Sequence, residues 1–253
     1  MTDLTGKHAL VTGGGTGIGL AIATSLADAG AQVTITGRRA DVLDDAAATH
    51  DNLHAATMDV TSEDDIRAAV TAARDARGPI TICVANAGIA EGRKLSKTPT
   101  ELWRKVMAVN LDGVFLTVRE CLHDMEGEDW GRVIAISSIA GVKGLKGAGA
   151  YSASKHGVIG LIRSLSEDYL GSNLTFNAIC PAYVDTDIVS RNVDAIAEKI
   201  GGDREAAMAM MRDVNKHKRL IRPEEVAAAA MWMVSPGSES VNGQTIEIAG
   251  GQM

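Results

Sequence analysis

The sequence predicts an α/β fold, a doubly wound parallel sheet. Two patterns carry that prediction. Short, almost wholly apolar runs alternate with longer helical ones, and the first apolar run breaks into a glycine-rich stretch that opens a helix. Strands without polar alternation imply a parallel sheet covered on both faces, because a strand with one wet face would place a polar residue at every second position. About seven strands are expected, with helices on both sides of the sheet.

The elements follow in order. HALVTG (His8 to Gly13) reads as a buried strand, and a helical stretch runs from Gly17 to Ala29 and stops at Gly30. AQVTITG, LHAATMDV and ITICVANAG repeat the strand signal. Between the last two, TSEDDIRAAVTAARDARG is a helix with legible ends: Ser62 and Asp65 have capping-box spacing, acids fill the first turn, and Gly78-Pro79 closes it. GRVIAISS, LTFNAIC and GQTIEIAG complete the strand set. The strand pattern fades from Asp185 to His217, a charged stretch with Met208, Met210 and Met211, which reads as a helical excursion: a flap covering a pocket, with a plain surface insertion as the alternative. No Pro/Gly/Ser linker divides the chain, so its 253 residues are read as a single domain.

Composition excludes several functions. A net charge of −7 disfavours nucleic acid and anionic membranes, which both need clustered Lys and Arg. The longest apolar run, Ile80 to Ala90, falls short of the roughly 20 residues a membrane helix needs. Cys83, Cys121 and Cys180 are scattered, as reduced, buried thiols of a cytoplasmic protein would be, and no secretory leader pattern is evident. His50 and His54 sit four apart, but turn-forming residues separate them, so no metal site is expected.

TGGGTGIG (Thr12 to Gly19) follows a strand and opens a helix, the context a phosphate cradle needs. Glycines admit a pyrophosphate close to the backbone, and the helix N-terminus offers free N–H groups. The spacing of Gly13, Gly17 and Gly19 departs from G-x-G-x-x-G, and alone the loop would also serve as a tight turn. After the second strand come Arg38 and Arg39, where an NAD-binding sheet usually places an acid. Two forked cations suit a 2′-phosphate, so NADP(H) is expected over NAD(H); the plain alternative is a solvated pair. Asp59, after the third strand, is a candidate for the adenine amino group or a turn residue.

YSASK places Tyr151 and Lys155 one helical turn apart. At roughly 5 Å and an effective dielectric of about 20, an ammonium favours the phenolate by about 3 kcal/mol. That is about two pKa units, enough to make the phenol a useful acid or base. Ser138 ends a strand upstream and is suited to donate to the same substrate oxygen. Asn110 interrupts an apolar helical run, where its amide needs a task, such as holding a water that links Lys155 to solvent.

These residues together resemble the short-chain dehydrogenase/reductase family, in its single-domain branch with a Rossmann-like sheet. The resemblance covers nearly the whole chain. It rests on T-G-x-x-x-G-I-G at Thr12 to Gly19, N-A-G at Asn86 to Gly88, Asn110, Ser138, Tyr151 and Lys155 in order, and VNGQTIEIAGG from Val241 to Gly251. It implies that Tyr151 is the general acid/base, that Lys155 lowers its pKa and binds the nicotinamide ribose, that Ser138 orients the substrate, and that Asn110 supports a proton relay. It also implies that Asn86 lies near the cofactor's adenosine side, that Val184 and Thr186 meet the carboxamide, and that Thr16, Ile18, Val60, Ala87, Gly88 and Pro181 lie along the dinucleotide. Two departures are Ala85, where the family often has a further Asn, and Ala182 after Pro181, where it often has Gly.

The expected activity is hydride transfer between NADP(H) and a secondary alcohol or ketone, a 3-oxoacyl thioester among the options. Ile139, Val142, Leu145 and Tyr183 are expected to wall the substrate pocket beside Ser138 and Tyr151. The alternatives are a catalytically silent dinucleotide sensor or scaffold, or an NAD(H)-preferring alcohol dehydrogenase. VAAAAMWMV and the last strand resemble elements that pair subunits, implying a homotetramer.

Overall fold

The chain begins with an apolar strand, β1 (His8–Thr12), and every residue of it is buried. The computed structural model describes residues 2–199 and 201–251. Six further strands join β1: β2 (Gln32–Gly37), β3 (Leu53–Thr57), β4 (Ile82–Ala85), β5 (Gly131–Ile136), β6 (Leu174–Pro181) and β7 (Thr245–Ile248). They form one sheet in the order β3-β2-β1-β4-β5-β6-β7, and every neighbouring pair is parallel. Parallel neighbours need crossovers, and these are the helices: α1 (Gly17–Asp28), α2 (Ala40–Ala47), α3 (Glu63–Arg77), α4 (Thr100–Met107), α5 (Gly113–Met125) and α6 (Gly149–Asp168). Strand order reverses between β2 and β4 on the two sides of β1. Such a switch point opens a crevice at the carboxyl ends of the strands.

Two apolar cores explain why the strands read as continuous hydrophobic runs. One face of the sheet packs Ile22, Ala23 and Leu26 of α1 and Val226, Ala230 and Met233 of α9 (Pro223–Val234). The other packs Val70, Val118 and Ile162 from α3, α5 and α6. Each buried Ile, Leu or Val contributes roughly 1.5–3 kcal/mol.

The excursion from Asp185 to His217 is helical, as expected: α7 (Asp187–Lys199) and α8 (Arg204–Val214). It has a small core of its own, in which Val189, Val193, Ala207 and Met211 pack with Tyr183 and Leu220. The capping box expected at α3 is only half formed. Asp65 N–H donates to Ser62 Oγ at 3.2 Å, but the Asp65 carboxylate turns to the Ser62 hydroxyl (2.9 Å) and to Asp59 N (3.3 Å) instead of returning to Ser62 N. Aspartate is one methylene shorter than the glutamate that closes this motif.

His8 is a pH-sensitive joint at the amino end of the sheet. Its Nδ1 lies 2.8 Å from the Gly78 carbonyl and its Nε2 2.9 Å from Thr34 Oγ1. Burial holds its pKa below 6.5, opposed by the bond to Gly78. A base with a lowered folded pKa takes its proton more readily when unfolded. Its neutral form therefore supports the fold above about pH 6.5, and that support is lost as pH falls toward the folded pKa. Tm is expected to decline from about pH 7 to about pH 5, and His8→Gln, though less stable at neutral pH, to show less of that decline. Parallel Tm–pH curves for the two proteins would refute this.

Candidate active site

The glycine loop is shaped by what packs behind it. Asn86, just past β4, donates through Nδ2 to the carbonyls of Thr12 (2.8 Å) and Gly13 (3.2 Å), while Thr12 Oγ1 accepts from the N–H groups of Asn86 (3.0 Å) and Ala87 (2.9 Å). A Cβ on Gly19 would lie 2.3 Å from Gly13 O and 2.5 Å from Asn86 Nδ2, so only glycine fits there. Gly17 has φ +56°, and a Cβ on it would lie 3.0 Å from Thr186 Cγ2. Gly17 and Gly19 therefore shape the cradle, and neither lines the two cavities described next. Asn86 is corrected in the same way: its amide is committed to the loop, and its exposed side faces the catalytic cavity, not the one near Arg38.

Two cavities meet at Gly88 and Ile89. One, of about 480 Å³, runs along Gly13, Thr16, Arg38, Arg39, Asp59, Val60 and Ala87. Its features fit a dinucleotide. Thr16 caps α1 without a side-chain hydrogen bond and no acid occupies the first turn, which leaves the helix's N–H end open to an anion. Thr36 Oγ1, in the wall, is buried without a partner. Arg38 and Arg39 are exposed at its rim. Asp59 is not free for the adenine role in the simple way expected: Oδ1 accepts from Thr61 N (2.9 Å) and Thr61 Oγ1 (2.8 Å), and Oδ2 lies 3.9 Å from Arg38 Nη1. The bond from Thr61 N–H leads the effects that hold its pKa below the usual value.

The second cavity, of about 490 Å³, brings together the residues expected to transfer the proton: Ser138, Tyr151 and Lys155 line it with Ile18, Ile139, Leu145, Pro181, Tyr183, Val184 and Thr186. Val189 and Met211 from α7 and α8 close one side, so the excursion forms part of the wall. Val142 is a correction: it packs on the core under α6 and does not line the cavity. Ala182, where the family often has glycine, lines the cavity with its N–H bonded to Ile248 O at 3.0 Å, so the extra methyl is accommodated.

The electrostatics differ from expectation. Lys155 Nζ donates to the Ile136 carbonyl at 2.7 Å and sits 6.0 Å from the centre of the Tyr151 ring. Burial lowers its pKa to about 8. Burial also raises that of Tyr151, which the hydrogen bond with Ser138 only partly offsets. Among the protein's own groups, then, desolvation outweighs the ammonium's attraction, and Tyr151 is a phenol at neutral pH, poised to donate. Ser138 is held by the N–H of Ala140, 3.1 Å from Oγ.

Asn110 sits in a π-helical turn, Ala108–Asp112, fully buried. Such turns often mark functional sites. Its Oδ1 accepts from Ile89 N (2.8 Å), and its Nδ2 donates to Ile89 O (2.9 Å) and Ser154 Oγ (3.2 Å). Three protein partners thus engage the side chain. These bonds give Asn110 a positioning role, tying the loop after β4 to α6, beside the expected part in a proton relay.

A second asparagine, absent from the expected set, repeats this device. Asn215, fully buried at the end of α8, accepts from Tyr183 N (3.3 Å) and donates to Tyr183 O (3.0 Å) and Arg219 O (2.8 Å). It pins the loop after β6 to the helical excursion. No motif flags it, because its Tyr183 partners are backbone atoms 32 residues away. Asn215→Ala leaves buried polar groups unpaired and frees Tyr183; KM for the ketone is expected to rise about tenfold, more than kcat falls. A loss of Tm with unchanged KM would reduce Asn215 to a structural role.

The cysteines are inert. Burial pushes Cys180 up to about 11, and Cys121, buried against Cys83, is also raised. His54 bonds Gln32 (2.7 Å) and His50 faces Asp28 (3.6 Å), so the two histidines have separate partners. No helix among the described residues is long and apolar enough to cross a membrane.

Comparison with known proteins agrees with this geometry. A model of the short chain dehydrogenase family matches residues 7–220. The chain is 37% identical to cis-4-hydroxycyclohexanecarboxylate dehydrogenase of Sinomonas cyclohexanicum over 97% of this chain and 96% of that one. It is 33% identical to the 3-oxoacyl-(acyl-carrier-protein) reductase MabA of Mycobacterium bovis, over 97% and 92%. An actinorhodin polyketide ketoreductase solved with NADPH superposes with a TM-score of 0.93 at 32% identity, over 100% of this chain and 99% of that one. The chain therefore belongs to the short-chain dehydrogenase family and is an NAD(P)-dependent oxidoreductase acting on CH–OH groups.

Proposed function

We propose that the protein is an NADPH-dependent ketoreductase whose substrate is a 3-oxoacyl thioester. The observation that carries the reading is the convergence of Ser138, Tyr151 and Lys155 on an apolar cavity that meets an arginine-rimmed one. NADP(H), when bound, supplies or accepts the hydride. The chain's own residues do the rest. Ser138 Oγ and the Tyr151 hydroxyl bind the ketone oxygen, and Tyr151 passes its proton to that oxygen as it becomes an alkoxide. Lys155, cationic below about pH 8, stabilises the phenolate left behind. Gly13, Thr16 and Ile18 hold the pyrophosphate side, Ala87 and Gly88 the junction, and Pro181, Val184 and Thr186 the nicotinamide side. Ile139, Leu145 and Tyr183 face the acyl chain, with α7 and α8 as cover. The relatives support an oxo group on an acyl or alicyclic body, since MabA is named for a 3-oxoacyl chain and the Sinomonas protein for a hydroxycyclohexanecarboxylate.

We read the assembly as a cytoplasmic homotetramer. Trp232 on α9, a helix that packs near the edge strand β7, and Trp103 with Phe115 on α4 and α5, are large exposed apolar groups on separate elements, as two sets of two-fold contacts would need. The activity is tested by following NADPH oxidation with an acetoacetyl thioester, an alicyclic ketone and 3-oxobutanoate. The thioester is expected to give the highest kcat/KM. Dinucleotide binding with no oxidation by any of them would favour the silent sensor.

A further inference from the structure

Four exposed cations gather at and beside the outer mouth of the catalytic cavity, as a collar on an acidic protein. Arg93, Lys94 and Lys97 lie on the exposed segment between β4 and α4, and Lys146, in the loop before α6, lines the cavity mouth. The two segments touch: a Cβ on Gly92 would lie 2.6 Å from Gly147 O, and one on Gly149 3.9 Å from Leu95 Cδ1. Among the described residues, no side-chain hydrogen bond or ion pair engages any of these four cations. The acid that lines the mouth, Glu91, is already paired with Lys105 at 2.5 Å. With 32 Asp and Glu against 25 Lys and Arg in the chain, a group of cations left without acids is against the general balance. Leu95, 71% exposed, sits among them as an apolar contact.

The position of the charges selects the ligand. Deep in the cavity the cation is Lys155, and it is bound to Ile136 O. A small oxo acid would need a cation there, beside the reacting carbon. The collar instead lies outside the apolar walls, so the anion it meets is carried at a distance from the ketone. We infer that Arg93, Lys94, Lys97 and Lys146 bind the phosphate of a phosphopantetheine arm whose thioester-linked 3-oxoacyl end reaches Tyr151. Basic side chains suit the anionic phosphodiester of the arm, and Leu95 suits its alkyl part. The inference rests on the thioester reading above. The arm's source is coenzyme A or a carrier protein; the phosphate is common to both.

The test compares kcat/KM for acetoacetyl-coenzyme A, acetoacetyl-carrier protein and the phosphate-free acetoacetyl-N-acetylcysteamine. These are measured with the wild type and with a Lys94→Glu/Lys97→Glu/Lys146→Glu variant checked for an unchanged Tm. A phosphorylated substrate is expected to lead the phosphate-free one by at least about tenfold at low salt. That ratio should shrink with added salt and fall about tenfold in the variant. Which of the two phosphorylated substrates leads identifies the source. Equal kcat/KM for phosphorylated and phosphate-free thioesters overturns the collar and leaves the thioester reading standing. Turnover of 3-oxobutanoate with no thioester reduced overturns both.

Discussion

Replacing Tyr151 by phenylalanine is expected to lower kcat for ketone reduction by about 10³-fold while dinucleotide affinity stays within about threefold. The ring keeps its packing in the cavity wall, so what is lost is one oxygen that binds the ketone and one proton that the alkoxide needs. The partial rescue left behind comes from Ser138, which water can assist. A kcat within tenfold of the wild type would sink the role assigned to the phenol. The pH profile carries the same argument further. Burial keeps Tyr151 protonated past its ordinary pKa of 10.0, whereas Lys155 loses its charge near pH 8. Reduction should therefore decline above about pH 8 because the ammonium is lost, not the phenol. Lys155→Arg, slow as it would be, should shift that decline upward, because a guanidinium stays charged. A decline at the same pH in both proteins would assign it to another group.

The second large effect concerns cofactor choice. Arg38→Ser/Arg39→Ser is expected to raise KM for NADPH about 100-fold and to leave KM for NADH within about threefold. Each guanidinium offers charge-assisted bonds to a 2′-phosphate, discounted for exposure to about tenfold apiece. The Arg38 side chain is 73% exposed and only loosely paired with Asp59, at 3.9 Å, so it is free to swing to a phosphate. A clear preference of the wild type for NADH would sink the assignment of these arginines and make Asp59 the residue that selects for an unphosphorylated ribose.

Much of this was legible in the chain itself. The seven strands and their parallel pairing follow from apolar runs too continuous for a one-sided sheet, a local property of neighbouring residues. The glycine loop, Ser138, Tyr151 and Lys155 follow because proton transfer and phosphate binding demand particular chemistry at short spacings. The tertiary structure decided what depends on distant partners. It moved Val142 out of the pocket and showed the amides of Asn86 and Asn110 bracing the loops around the site. It brought Asn215 to Tyr183, and Arg93 to Lys97 against the loop of Lys146. It also reversed the sign of the Tyr151 shift, because desolvation is set by everything packed around a hydroxyl, while a four-residue spacing reports only one neighbour.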